Sequence, residues 1–186
     1  TPLVAPSANL SGRPSPTDWR AVYEDLNGRI DCILKGEATE FGLESTVIDC
    51  TTKNPLVLRF GAISLEDLRQ VVPETEIYQA KSGETVKSPG LKHKHYAPRA
   101  RIKLVSGSTF PVLSSAAKAY IGLNQPKSVE FDLIKTCRSI ENYAHEVFAF
   151  FRECDRAGIE TIYCEIIEEK GIGAALMDRL RRASEN

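Results

Sequence analysis

Long apolar runs are missing from this chain. None approaches the roughly 20 consecutive apolar residues of a membrane span, so no membrane partner is expected. Missing too is any C-x-x-C pair among the five cysteines, Cys32, Cys50, Cys137, Cys154 and Cys164. An odd, unpatterned set speaks against a zinc site or a disulfide framework. It reads as reduced, mostly buried thiols of a cytoplasmic protein, with Cys32 and Cys50 expected as packing residues in strands. Excess charge of one sign is lacking as well. A net charge of −1 excludes a global basic field for tight, non-specific nucleic-acid binding, though not a local basic patch. Neither G-x-x-x-x-G-K-S/T nor G-x-G-x-x-G occurs, which excludes two common phosphate cradles and disfavours a dehydrogenase-like domain.

What is present is α/β patterning in two units. Residues 16–26 have a helical pattern, with Thr17 as the expected N-cap and Trp19, Val22, Tyr23 and Leu26 on one face. Residues 29–34 alternate Ile30, Cys32 and Leu34 with polar neighbours and predict a half-buried strand. Residues 44–49 and 55–60 predict two more strands, and Ser64 caps a short helix. The stretch 73–98, rich in Lys, Gly, Ser, Thr and Pro, is too long for an ordinary loop and reads as a linker that doubles as a lid. Beyond it, residues 101–105 predict a strand, 112–123 a strand passing into a helix, and 128–133 a strand. Ser139 then caps a clear helix, 161–167 predict a buried-type strand, and 173–182 a closing helix. Strands alternating with helices indicate βαβ units and a parallel sheet. The expected organisation is therefore a first domain at 1–72, a linker at 73–98 and a second domain at 99–186.

Four short motifs follow one another along this frame. They are Ala5-Pro6-Ser7-Ala8-Asn9-Leu10-Ser11-Gly12, then Glu44-Ser45-Thr46-Val47-Ile48-Asp49, then Leu58-Arg59-Phe60-Gly61-Ala62-Ile63-Ser64, and last Ser88-Pro89-Gly90-Leu91-Lys92-His93-Lys94-His95-Tyr96-Ala97-Pro98. Each is weak alone. In this order the series resembles the Sua5/YrdC/YciO family, in its Sua5-type form with an additional C-terminal domain. The resemblance implies a partial YrdC-like twisted open α/β sheet, joined by the linker to a small Rossmann-like domain with a parallel sheet.

For function, the resemblance implies a nucleotidyltransferase of tRNA processing. Its substrates would be L-threonine, bicarbonate (or CO2) and ATP, and its products threonylcarbamoyl-adenylate and pyrophosphate. Mg2+ would arrive with ATP, and the product would pass to the tRNA threonylcarbamoyl-transferase machinery for the adenosine next to the anticodon. Carried over by motif, Ser7, Asn9 and Arg59 would bind ATP, and Ser7 and Ser45 would bind L-threonine. Ser88, Pro89, Gly90, His95 and Tyr96 would belong to the lid. No residue is assigned a catalytic role. These residue types suit the chemistry, because attack of a carbamate oxygen on the α-phosphate needs positioning and charge neutralisation above all. Arg59 offers a planar fork of donors, and a lid would exclude water from a labile carbamate.

Two departures from the family accompany the resemblance. Phe60 stands where the family usually has Pro, which alters a turn more than the chemistry. The family's first domain also begins well before the PSAN segment, with a basic motif and a Ser-x-Asn segment that have no counterpart here. The expectation is a chain that begins in mid-domain, is inactive alone, and associates with a missing or swapped N-terminal half. The rival expectation is a non-catalytic module that binds tRNA or a protein of the same pathway.

The remaining candidates have ordinary readings. His93 and His95 have i, i+2 spacing but no third ligand of matching spacing, so no metal site is assigned. His145 lies in an amphipathic helix and reads as structural. Lys92, Lys94, Arg99 and Arg101 form the local basic cluster, suited to ATP or tRNA phosphates or to solvent. Arg179, Arg181 and Arg182 read as cations complementing a helix C-terminus.

Overall fold

The computed structural model describes residues 2, 4–79, 96–107, 110, 116–127 and 129–184. Among these residues there are two sheets: three strands in the order β1 (Val47–Asp49), β2 (Leu56–Arg59), β3 (Glu76–Ile77), and four in the order β4 (Arg101–Val105), β7 (Thr161–Glu165), β5 (Lys118–Gly122), β6 (Leu133–Thr136).

The N-terminal unit is thin. Helix α1 (Trp19–Leu26) is capped by Asp18, whose Oδ1 accepts from Ala21 N at 2.8 Å, so the expected Thr17 cap is displaced by one residue. The carboxylate is the better acceptor for free N–H groups at a helix start. No strand forms at 29–34, although the alternation is present. Leu34 is 91% exposed, Ile30 and Cys32 are exposed too, and no neighbouring strand among the described residues offers a ladder. Alternation without a partner strand cannot satisfy backbone groups. Cys32 and Cys50 are exposed rather than packed, whereas Cys137, Cys154 and Cys164 are buried.

Strand β1 (Val47–Asp49) pairs antiparallel with β2 (Leu56–Arg59). Helix α2 (Leu65–Val71) follows, with a capping box in which Ser64 and Asp67 satisfy each other's backbone N–H. Strand β3 (Glu76–Ile77) then adds parallel to β2, a short ladder within the stretch expected to be linker.

The C-terminal unit holds most of the core. Strands β4 (Arg101–Val105), β5 (Lys118–Gly122), β6 (Leu133–Thr136) and β7 (Thr161–Glu165) are all parallel. The strand predicted at 128–133 starts late. The segment at 112–123 ends in β5, with no helix among its described residues. Helices α3 (Ile140–Arg156) and α4 (Ile172–Ser184) cover one face, where Val147, Phe148, Phe151, Leu176 and Leu180 close over Ile102, Ile121 and Ile162. Each such side chain removed from water is worth about 1.5–3 kcal/mol. The opposite face carries Val105, Tyr120 and Tyr163 under Phe110 and Phe131, with ring centroids 5.3–6.1 Å apart.

At the C-terminal strand ends, the buried Glu165 carboxylate gathers four donors. They are the Tyr120 hydroxyl (2.9 Å), the Leu123 and Asn124 amides (2.6 and 2.9 Å) and Asn124 Nδ2 (2.6 Å). Burial opposes its charge, but these bonds hold its pKa below the ordinary glutamate value. The cluster closes tightly over Gly122, where an added Cβ would fall 2.3 Å from Glu165 Oε2. Gly122→Ala is therefore expected to destabilise the protein by about 1–3 kcal/mol, read as an earlier urea midpoint. An unchanged midpoint would contradict this packing.

Candidate functional site

Four elements converge where the two units meet: the loop around residues 7–14, the turn before β1, the end of β2, and Tyr96 leading into β4. In the loop, Ser7 is exposed and Ala8 has a left-handed φ of +56°. Asn9 Nδ2 donates to the carbonyls of Leu10 (2.9 Å) and Arg13 (3.1 Å), while its Oδ1 is buried without a hydrogen bond. A buried orphan acceptor on a strained turn is unusual in a purely structural loop.

Ser45 and Arg59 come together. Arg59 Nε and Nη2 donate to the Ser45 carbonyl at 3.2 and 3.0 Å, and Nη2 reaches the Ser45 hydroxyl at 3.3 Å. Two sequence-expected site residues thus form one hydrogen-bonded pair, and Arg59 Nη1 has no hydrogen bond among the described residues. The pair is braced by Thr46, whose hydroxyl donates to the Ile63 carbonyl at 2.6 Å. Gly61 makes this junction feasible, since a Cβ there would lie 2.2 Å from Thr46 N. Phe60 is half-buried and packs against the large core, an apolar anchor at the turn.

Tyr96 is buried, with a left-handed φ of +68°. Its ring stacks on Phe148 at 5.6 Å, the Arg179 guanidinium lies 5.0 Å from its centroid, and Ala97 N donates to Gly12 O at 3.0 Å. Burial and the Glu44 charge raise its pKa, against the pull of Arg179, Arg59 and Arg182, so the phenol stays protonated at neutral pH. A cavity of about 130 Å³ lies beside it, lined in part by Arg59, Phe60, Tyr78, Tyr96, Arg179 and Arg182. It is smaller than the several hundred Å³ typical of a small-molecule pocket. Arg59 and Tyr96 line it; Ser7, Asn9 and Ser45 do not. Ser88, Pro89, Gly90, His93 and His95 lie outside the described residues.

The residues that hold these elements in place escaped the motif reading. Asp25, with no exposed side-chain surface, accepts from Leu10 N (3.3 Å), Arg13 Nη1 (2.5 Å) and Arg152 Nη2 (2.8 Å). Arg179 does not serve as a solvent-side dipole cation. It is 1% exposed, and it donates to Glu44 Oε2 (2.8 Å), Phe60 O (2.7 Å) and Asp178 (2.5 Å). Arg181 does face solvent, paired with Glu169. The available signal was a cation on an apolar helix stripe: Arg152 beside Phe148 and Phe151, Arg179 among Leu176, Leu180 and Ala183. His145 Nε2 lies 3.2 Å from Thr39 O at the same junction. Arg99 and Arg101 line a wide cleft with Lys103, Asp155 and Glu160, and Lys92 and Lys94 fall outside the described residues. Among the described residues, no group of three His, Cys, Asp or Glu could hold a metal ion, and no helix is long and apolar enough to cross a membrane.

Burial pushes the Asp25 pKa up, but Arg152, the Leu10 amide and Arg13 outweigh it and hold the carboxyl below its ordinary 3.8. A depressed folded pKa contributes stability that is complete above 3.8 and is lost as pH falls through the lower folded value. Asp25→Asn is therefore expected to be less stable than the parent at neutral pH. Its thermal midpoint should fall less steeply in acid, and parallel pH profiles would contradict the assignment.

Residues 63–185 match a family model described as threonylcarbamoyl-AMP synthase, C-terminal domain. Residues 1–61 match the Sua5/YciO/YrdC model, described as telomere recombination. The chain is 40% identical, over 98% of its length, to threonylcarbamoyl-AMP synthase of Pyrococcus abyssi and 33% identical to that of Bacillus subtilis. It spans 58% and 57% of those two relatives, little more than half of each. It also superposes on a crystal structure of P. abyssi Sua5 complexed with L-threonine, with a TM-score of 0.83 and 38% identity over 96% of this chain and 56% of that one. A variant of the same protein, with an adjacent His-Tyr pair changed to alanine, superposes with a TM-score of 0.84 and 37% identity, again over 96% of this chain and 56% of that one.

Proposed function

The chain belongs to the Sua5 family, and on that premise we propose that it forms part of a threonylcarbamoyl-AMP synthase acting in tRNA modification. In this reading the amine of L-threonine and bicarbonate condense with loss of water to a carbamate, whose carboxylate oxygen attacks the α-phosphorus of ATP. The bond to the β-phosphate oxygen breaks, and pyrophosphate leaves. The observation that carries the assignment is the Arg59–Ser45 pair, in which motifs 14 residues apart present hydroxyl and guanidinium groups together. Arg59 Nη1, without a hydrogen bond among the described residues, suits a phosphate or carboxylate oxygen, where a planar cation is worth most. The orphan acceptor of Asn9 suits an N–H or O–H donor of the ligand, and Ser7 offers a hydroxyl beside it.

Threonine binding is supported by the threonine-complexed relative. A lid role for His95 and Tyr96 is supported by their being the sole His-Tyr dipeptide here, while a relative was made with such a pair replaced. Mg2+ would ride on the nucleotide. The nearby carboxylates Asp25 and Glu44 are engaged by arginines, so phosphates and water would supply its ligands. Residues 1–72 form the catalytic-domain part, 73–98 the linker and 99–186 the C-terminal domain in this proposal.

The N-terminal unit exposes Val4, Ile30, Leu34, Phe41, Ile63 and Val71, apolar surface suited to pairing with further chain of the same enzyme. On this basis the chain alone is expected to be inactive. The test is pyrophosphate release with ATP, L-threonine and bicarbonate, by this chain and by a form extended to the length of its relatives. Turnover by the extended form is expected, with Arg59→Ala lowering kcat/KM by roughly 100-fold. Full turnover by Arg59→Ala would refute the assignment. The Arg99, Arg101 and Lys103 cleft favours a second reading, in which the chain binds tRNA. Salt-dependent tRNA retention without turnover by the extended form would support that reading instead.

A further inference from the structure

The two walls of the proposed site are each held by one buried arginine from the opposite unit. On α3, Arg152 is 3% exposed. Its Nη1 and Nη2 reach the two Asp25 oxygens at 3.2 and 2.8 Å, and Nη2 also donates to Pro14 O at 2.5 Å. Asp25 in turn receives Leu10 N and Arg13 Nη1, so one ion pair holds both ends of the loop segment that follows Ser7 and Asn9. One helical turn on, Arg156 reaches Glu24 at 3.0 Å, while Asp155 Oδ1 accepts from Arg99 N at 2.8 Å.

On α4, Arg179 performs the matching task for the other wall. Its bonds to Glu44 and to the Phe60 carbonyl end at the chain neighbours of Ser45 and Arg59. The second Glu44 oxygen accepts from Ser15 Oγ at 2.5 Å, which ties the two walls to each other. Both helices are fixed in one core on the four-stranded sheet and pack on each other. The separation of the walls is thereby set by the spacing of α3 and α4.

An apolar seam could join two units without fixing an orientation. Directional, desolvated pairs do fix one, because a displaced partner leaves a buried charge unpaired. We propose that Arg152 and Arg179 are positioning residues. Through Asp25–Pro14 and through Glu44–Phe60, the helix pair of the C-terminal unit sets the geometry of the threonine and nucleotide site. The functional part of this inference rests on the reading given under Proposed function; the positioning part stands on the two ion-pair networks.

The test is amide hydrogen exchange on the 186-residue chain and its variants, with methionine replacing each arginine to keep most of the apolar stem. Arg152→Met is expected to speed exchange in residues 4–16 by roughly tenfold or more, leaving 44–62 and strands β4 and β7 near the parent rates. Arg179→Met should do the reverse, loosening 44–62. In the extended enzyme each variant should raise KM for threonine or ATP by a larger factor than it lowers kcat, with partial rescue by Arg152→Lys. Unchanged exchange in both walls would overturn the proposal. So would equal loosening of both walls and of the four-stranded sheet by either variant. Should Arg152→Met fail to fold, Asp25→Asn, which leaves Arg152 bonded to Pro14 O, must give the same selective pattern. L-threonine with ATP should slow exchange of both walls in the extended parent. Absence of that protection would sink the functional reading, while the pattern without ligand still decides the positioning claim.

Discussion

Arg152 and Asp25 are both withdrawn from water, 127 residues apart in sequence, and neither can be left without the other. Removing one partner of such a pair strands a desolvated charge, at a typical cost of about 3–5 kcal/mol. A shifted docking of the two units would incur that cost at Arg152 and again at Arg179. The loop around residues 7–14, the Glu44 turn and the Phe60 turn are therefore held where the two guanidinium groups can reach them. The N-terminal unit has little core of its own, and the large core that spans the chain includes Leu43, Tyr96 and Phe60.

That arrangement explains how strained backbone persists at the junction. Ala8 and Tyr96 both sit at left-handed φ without being glycine. Each such residue costs of order 1–3 kcal/mol and persists only where its surroundings over-determine it. For Tyr96 those surroundings are the Phe148 stack, the Arg179 cation and the Ala97–Gly12 hydrogen bond. For Ala8 they are the Asn9 amide bonds that close the following turn, and Asp25 behind them. Two chemistry-bearing groups on this frame, Arg59 Nη1 and the buried Asn9 Oδ1, have no hydrogen bond among the described residues.

The C-terminal unit gives this frame its stiffness. Four parallel strands with two helices on one face and an aromatic cluster on the other leave little freedom for α3 and α4 to move. The Glu165 carboxylate, closed over by Tyr120, Leu123 and Asn124, locks the carboxyl ends of β5 and β7. This cluster uses its acceptors on the protein itself, which suits a structural role.

Local physics made much of this molecule legible from its sequence. Capping at Ser64 and Ser139, the strand at 101–105 and the amphipathic α3 depend on near neighbours, and they formed where expected. The ordered motifs also pointed to Ser45 and Arg59 before any contact between them was visible. Legibility stopped where a partner distant in sequence decides the outcome. Residues 29–34 alternate correctly but find no strand among the described residues to pair with, and β6 begins at Leu133, where β5 provides its ladder. The depth of Arg152 and Arg179 was equally hidden, because an arginine on a helix is ordinarily solvated and only a carboxylate from another unit makes its burial affordable. The sequence by itself determined the helices, most strands and the chemical groups offered to a ligand, since these follow from periodicity, capping and motif. Only the tertiary structure decided which groups meet, because the distance between two walls is set by packing and ion pairing across more than 120 residues of chain.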